Sequence, residues 1–574
     1  MKIFKYANKY IVSIIFVLVL TYAQVMADLS LPDYMSKIID TGIVSGDVDF
    51  ILRVGFEMIL VALFSIICSI IIGYIAARVA AKIARDIRGD VFEHITEFSS
   101  FEFNQMGSSS LITRTTNDVN QIQIFVVMLL RMIISAPIMG IGGIIKALDK
   151  CNSMTYIIVL AVSILLTVIV SLIFIVVPKF NLIQKLVDKL NLVTKESLSG
   201  MLVIRSFNKE SSEEKKFSDA NAELTKTNLF VNRTMTVLFP ILNLVLSLTV
   251  LLIMWVGASK IGSGEIALGN VMAFIQYTMR TIMSFLMLSM VFVFLPRASV
   301  SAKRILEVLD TKQSIKNKEN IKQLNKIKGI VEFRNVSFRY PDADGDVIKN
   351  INFTCYPGET TAFIGSTGSG KSTLINLIPR FFDVTEGAIL IDGLDIRDMD
   401  IKNLRDNVSY VPQKGVLFSG TIESNIKYGK ESASKKEVSD AAEVAQSIDF
   451  INEKEEKFSS PIASGGINVS GGQKQRLSIA RALIKDAKIF IFDDSFSALD
   501  FKTDAALRKA LANKTKDKNI LIVAQRIGTI KNADRIVVLE SGSVVGIGTH
   551  AELLNSCEIY REIAYSQLSK EELA

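Results

Sequence analysis

At 574 residues the chain is too long for a single hydrophobic core, so several domains are expected. Hydrophobic residues make up 49 % of it, which points to a portion in lipid, while 65 Lys plus Arg against 58 Asp plus Glu leave a modest +7 that suits a membrane protein as well as a nucleic-acid binder. The four cysteines, Cys68, Cys151, Cys355 and Cys557, lie far apart without a Cys-x-x-Cys pair, which argues against a disulfide framework or a zinc site.

The N-terminus carries Lys2, Lys5 and Lys9, then an apolar stretch from Ile11 to Leu20. Val25-Met26-Ala27 loosely resembles a signal-peptidase site, yet five further apolar segments follow and a retained first span is the better reading. Those segments lie near 54–77, 124–148, 155–177, 235–257 and 268–295, each close to the roughly 20 residues that cross a bilayer as helix. The sum is six spans, and an even number puts both ends of the membrane region on one side. The connections after the second and fourth spans hold Lys82, Arg85, Arg88, Lys179, Lys185 and Lys189, among other cations, whereas the connection after the first carries Asp28, Asp33, Asp40, Asp47 and Asp49. By the positive-inside tendency the basic connections and both termini are expected in the cytosol.

The two basic connections have regular apolar positions and few glycines, and are expected as helices that project tens of ångströms beyond the membrane, at about 1.5 Å per residue. Within the spans, Arg131 and Arg280 are charges that lipid penalises; they either line a substrate cavity or snorkel toward headgroups. Pro137, Pro240 and Asn243 read mainly as structural kinks. Residues 1–299 are thus expected as a transmembrane domain, and 300–329, polar and lysine-rich after a short helix, as a linker.

A soluble domain is expected over 330–574. Its phosphate-binding loop, Gly365-Ser366-Thr367-Gly368-Ser369-Gly370-Lys371-Ser372-Thr373, fits G-x-x-x-x-G-K-[ST] without mismatch, follows an apolar run and precedes a helical pattern. The glycines let backbone N–H groups turn toward phosphate oxygens, Lys371 reaches the β- and γ-phosphates, and the Ser372 hydroxyl ligates Mg²⁺. Downstream, the apolar run Ile489-Phe490-Ile491-Phe492 ends in Asp493 and Asp494, so Asp493 reads as the carboxylate on the metal side. ATP and Mg²⁺ are the expected cofactors.

Between these motifs, Ser470-Gly471-Gly472-Gln473 opens a helix through Leu483, and here the chain resembles the ABC transporter superfamily, whose signature this is. The resemblance implies that Tyr340 stacks on adenine, that Gln413 belongs to the glutamine loop beside the metal, and that Ser497-Ala498-Leu499-Asp500 forms the aspartate loop. Six spans fused ahead of one such domain, with 200–207 similar to the second intracellular region, resemble the exporter branch. That implies a half-transporter which dimerises, with each ATP sandwiched between one chain's phosphate loop and the other chain's signature.

Two positions depart from the family. Asp494 stands where Glu usually polarises the attacking water, and a carboxylate one methylene shorter retracts by roughly 1 Å, a misplacement that can cost about 10²-fold in rate. Gln525 stands at the switch histidine; neither His94 nor His550 is placed to substitute, and an amide cannot do what an imidazole does. Ser464, where many exporters carry Glu, is a weaker departure.

A degenerate ATP site beside an intact signature resembles one subunit of bacterial heterodimeric multidrug exporters. The expected architecture is an α-helical membrane domain of six transmembrane helices followed by an α/β P-loop ATPase domain. The expected function is export of hydrophobic or amphipathic compounds, whether drugs, lipids or peptides, out of the cytoplasm by a protein of the cell membrane, with a second half-transporter as partner and no nucleic acid. A slow homodimeric exporter and an ATP-gated channel or sensor are the alternatives.

Overall fold

A computed structural model describes residues 4–322 and 326–568. Residues 323–325 of the expected linker and 569–574 of the expected soluble domain lie outside the described residues. The chain divides into two compact units, 1–96 with 108–311, and 97–107 with 312–574.

The first unit is helical because long apolar runs without glycine or proline clusters leave backbone groups no other way to satisfy one another in lipid. Six of its helices are long and apolar enough to cross a membrane: Ile11–Ile43, Val48–Thr96, Ser108–Lys150, Asn152–Ser199, Glu210–Gly262 and Leu268–Leu288. Four of them run well past the roughly 30 Å of a bilayer core, to between 43 and 53 residues, as the periodic cytosolic connections lead one to expect; Val48–Thr96 has 49 residues. The last apolar helix is followed by a further helix, Val291–Asp310, so the first residues of the 300–329 stretch are helical. Lys303 and Arg304 there sit beside Ile305 and Val308, which are fully buried at helical spacing.

Small residues allow close helix approach in this unit. A Cβ on Gly140 would stand 2.5 Å from Ser284 Oγ, and one on Gly143 2.5 Å from Thr281 Oγ1, so the third and sixth spans meet nearly backbone to backbone. Near the same level Tyr277 donates to the Leu29 carbonyl at 2.9 Å, and Asp33 pairs with Lys146 at 2.9 Å and Lys150 at 3.1 Å. Arg131 lies in a π-helical stretch, Leu129–Ile133, with its guanidinium 3.7 Å from where a Gly73 Cβ would be. Arg280 is half-buried on Leu268–Ser289.

The second unit is built on a six-stranded sheet in the order Ser543–Gly548, Arg535–Glu540, Thr360–Gly365, Asn519–Val523, Ile489–Asp493, Val408–Val411. All neighbours but the first pair run parallel. A parallel sheet is covered on both faces, and its central strands Asn519–Val523 and Ile489–Asp493 are accordingly buried along their whole length. Ile489 and Ile491 enter one core with Leu374 and Ile375 of the helix after the phosphate loop; Phe490 and Phe492 enter the other with Leu477 and Ile479 of the signature helix. A second, four-stranded sheet includes Val331–Phe338 and Ile348–Cys355. Residues 97–107 belong to this unit: Glu102, buried at 3 % exposure, accepts from the Ser99 N–H at 2.7 Å and the Ser314 N–H at 3.0 Å. All four cysteines are buried free thiols.

Asn519 joins separate parts of the second unit. Its fully buried amide donates to the Gly329 carbonyl at 2.8 Å and to the Cys355 carbonyl at 3.1 Å. Asn519→Ala strands both acceptors, so it is expected to destabilise this unit by about 2 kcal/mol, read as a lower melting temperature of the detergent-solubilised chain.

Candidate nucleotide site

The site forms at the carboxyl ends of the parallel strands, where α/β sheets bind ligands. Strand register brings its parts to one level: Val523 stands opposite both Phe363 and Asp493. Alternation then assigns the faces. Asp493 follows Ile489 and Ile491 on the face of the phosphate-loop helix, where Leu521 and Val523 of the neighbouring strand also pack, and Gln525 lies two residues past that strand's end. A cleft of about 340 Å³ results, lined by Val347, Thr367, Gly368, Gly370, Lys371, Ser372, Thr373, Gln413, Asp494, Val523 and Gln525.

The loop needs glycine for steric reasons. Gly370 has φ 94°, and a Cβ there would stand 2.7 Å from Ile348 Cδ1, so a side chain is barred by conformation and by space. Lys371 begins the following helix with its ammonium turned back into the loop, donating to the carbonyls of Gly365 at 2.9 Å and Ser366 at 2.8 Å and lying 3.3 Å from Ser369 Oγ. Burial pulls its pKa below the ordinary lysine value, and Asp494 and Asp493 oppose that shift. The ammonium therefore sits pre-positioned at the cleft wall, held by groups that a phosphate can replace.

Asp493 accepts from Ser372 Oγ at 2.8 Å on one oxygen and from the Tyr410 hydroxyl at 3.3 Å on the other. Burial raises its pKa, and the two hydroxyl donors oppose the rise. Ser372 and Asp493 offer oxygen ligands only, the donor set that suits Mg²⁺, and no cluster of three or more His, Cys, Asp or Glu that could hold an ion by itself occurs among the described residues. The residues fit a cation shared with a ligand's phosphates.

Asp494 has φ 46° and turns out of the strand, its N–H donating to the Val523 carbonyl at 3.0 Å. Its Oδ2 accepts two amides, Gln413 Nε2 at 3.3 Å and Gln525 Nε2 at 3.1 Å. Burial raises its pKa as well, with hydrogen bonds from Gln413 and Ser497 working the other way. The two departures read from the sequence are thus in direct contact, and Gln413 joins them.

Tyr340 meets this site through Thr373, 3.1 Å from its hydroxyl, and its ring packs edge-on against Phe338 and Phe382. Ser470 caps the helix Gly471–Leu483: its hydroxyl accepts from the Gln473 N–H at 3.2 Å while Gln473 Oε1 accepts from the Ser470 N–H at 3.0 Å. None of residues 470–473 lines the cleft. Tyr410 was not anticipated from the sequence: it lies three residues before Gln413, but only the pairing of its strand with Ile489–Asp493 brings it to Asp493.

A family model for the ABC transporter transmembrane region matches residues 14–286, and one for the ABC transporter matches 348–497. An uncharacterized ABC transporter ATP-binding protein of Mycobacterium tuberculosis is 38 % identical over 554 residues, 96 % of this chain and 95 % of that protein. A putative multidrug export ATP-binding/permease protein of Bacillus subtilis is 32 % identical over 492 residues, 83 % of this chain and 82 % of the other. An ATP-dependent lipid A-core flippase of Desulfotalea psychrophila is 37 % identical over 359 residues, 62 % of each chain. The solved structure of a bacterial Atm1-family ABC exporter with ATP bound superposes with a TM-score of 0.82 at 25 % identity, covering 98 % of this chain and 99 % of that one.

The Lys371 contacts generate a direct test. A charge-assisted hydrogen bond contributes about 1.5–3 kcal/mol, so Lys371→Ala is expected to weaken ATP binding by about ten- to a hundredfold in equilibrium titration of the full chain, with its melting profile preserved.

Proposed function

Since this chain belongs to the ABC transporters, as a multi-pass membrane exporter with an ATP-binding ATPase domain, we propose that it is one half of a heterodimer whose own nucleotide site retains ATP and hydrolyses it slowly. The observation that carries this reading is the pair of amides on Asp494 Oδ2. A group that polarises water must point a free lone pair at it, within hydrogen-bond reach. Here the side chain is a methylene shorter than glutamate, and one of its oxygens already serves Gln413 and Gln525. Gln525 in turn offers a donor to a terminal phosphate and no exchangeable imidazole proton.

In this reading the loop of residues 365–373 holds the phosphates, Lys371 neutralises their charge, and Tyr340 supports the adenine. Ser372, Asp493 and Gln413 would hold Mg²⁺, which when bound spreads the negative charge of the β- and γ-phosphates. Ser470, Gly471, Gly472 and Gln473 serve the partner chain: the capped helix start exposes N–H groups that favour an anion, and Gly471 has open space beside its Cα. The partner supplies Glu and His at its own hydrolytic site.

ATP binding closes the two nucleotide domains, hydrolysis in the partner's site releases them, and the long cytosolic helices carry the movement to the spans. Both termini and the nucleotide domain face the cytosol, on the charge asymmetry of the loops. The cargo is an amphipathic or hydrophobic molecule, in keeping with relatives named for multidrug export and for lipid A-core flipping.

Two measurements test the assignment. The purified chain alone is expected to bind ATP with little turnover and to become an active ATPase only with its partner; robust cargo-stimulated turnover by the chain alone would show a slow homodimer instead. In the assembled pair, Ser470→Arg is expected to lower ATPase activity at least tenfold, whereas Asp494→Glu combined with Gln525→His raises turnover at this chain's site. An unchanged rate in the second variant would mean that the two departures are not what limits hydrolysis.

A further inference from the structure

The switch segment that carries Gln525 is held from a part of the chain that no motif marks. Gln567, on the helix Glu558–Gln567, accepts from the Ile527 N–H through Oε1 at 2.8 Å and donates from Nε2 to the Gln525 carbonyl at 2.8 Å. Its planar side-chain amide pairs with the backbone on both sides of Arg526, as a neighbouring strand would, where the strand Asn519–Val523 has already ended. The helix that presents it is itself anchored. Tyr560 and Ala564, four residues apart and both 0 % exposed, enter the core shared with Leu553 and Ile527, and Gln567 follows on the same face.

With the backbone at 525–527 pinned, the two side chains between the pins diverge. Gln525 reaches Asp494 Oδ2 at 3.1 Å, inside the cleft, and the Arg526 guanidinium lies 5.4 Å from the centre of the Phe501 ring, beside the aspartate loop. Without the clamp, no side-chain hydrogen bond to the backbone of residues 524–527 remains among those the described residues make.

We propose that Gln567 is a positioning residue that sets where Gln525 meets the terminal phosphate of ATP, so that the C-terminal helix governs nucleotide retention at this site. This rests on the reading of Gln525 as the group that faces the γ-phosphate. Gln567 touches no reacting atom; it acts only through the backbone of residues 525–527. Its loss must therefore affect ATP, which has a γ-phosphate, and leave ADP unaffected.

The experiment measures release of ATP and of ADP from the full-length chain in lipid nanodiscs with Mg²⁺ present, for wild type, Gln567→Leu, Gln567→Glu, Gln525→Ala and the double variant Gln525→Ala with Gln567→Leu. Leucine removes both hydrogen bonds at similar volume; glutamate keeps the bond from the Ile527 N–H and loses the one to the Gln525 carbonyl. The expected result is ATP release about three- to tenfold faster in Gln567→Leu, a smaller increase in Gln567→Glu, unchanged ADP release in both, and no further effect of Gln567→Leu in the Gln525→Ala background. If Gln525→Ala speeds ATP release while both Gln567 variants behave as wild type, the proposed role of Gln567 is overturned and the reading of Gln525 stands. If Gln525→Ala itself leaves the ATP-to-ADP ratio of release rates unchanged, Gln525 does not sense the γ-phosphate and both fall. Should Gln567→Leu fail to fold, the Gln567→Glu comparison decides alone, because equal acceleration of ATP and ADP release would mark a purely structural role.

Discussion

A strand buried on both faces leaves its side chains two directions only, and the nucleotide site depends on that restriction. In Ile489–Asp493 the isoleucines pack toward the phosphate-loop helix and the phenylalanines toward the signature helix. Asp493, two residues beyond Ile491, emerges on the side where Ser372 waits at 2.8 Å. The next residue cannot continue the alternation without burying a second carboxylate in the sheet. Asp494 instead adopts φ 46° and turns into the cleft, where amides rather than apolar groups receive it.

The two acids end as neighbours with separate partners. Hydroxyls from Ser372 and Tyr410 hold Asp493, and amides from Gln413 and Gln525 hold Asp494. Desolvation is the largest influence on both and raises both pKa values, with donors placed to favour the ionised forms. The cleft is thereby organised around two carboxylates, with both oxygens of Asp493 and Oδ2 of Asp494 already accepting hydrogen bonds. In the proposed degenerate-site reading, this arrangement holds a polyphosphate and its cation rather than delivering a base to water.

Membrane and nucleotide units meet their constraints differently. In the first, backbone polar groups must be satisfied inside each helix, and association relies on close contact at Gly140 and Gly143 and on polar ties such as Asp33 with Lys146 and Lys150. In the second, a sheet between two apolar cores sets the geometry, and single polar groups such as Asn519 join segments far apart in sequence.

The phosphate loop, the signature, the strand-end acids and six apolar stretches were legible from residue order alone, because each is a local pattern: hydropathy over about 20 residues, a glycine-rich turn, alternation ending in a charge. The helix through 300–310 was obscured by the lysines that follow it from Lys312 to Lys328, since composition hides a buried stripe that only helical spacing reveals. Tyr410 and Gln567 were not legible at all. Tyr410 reaches Asp493 across 83 positions and Gln567 reaches Gln525 across 42, and no local pattern encodes which strand lies beside which or which helix end meets which loop. The sequence determined which chemical groups the site contains; strand order and helix docking decided which of them touch, because those contacts follow from packing two cores against one sheet.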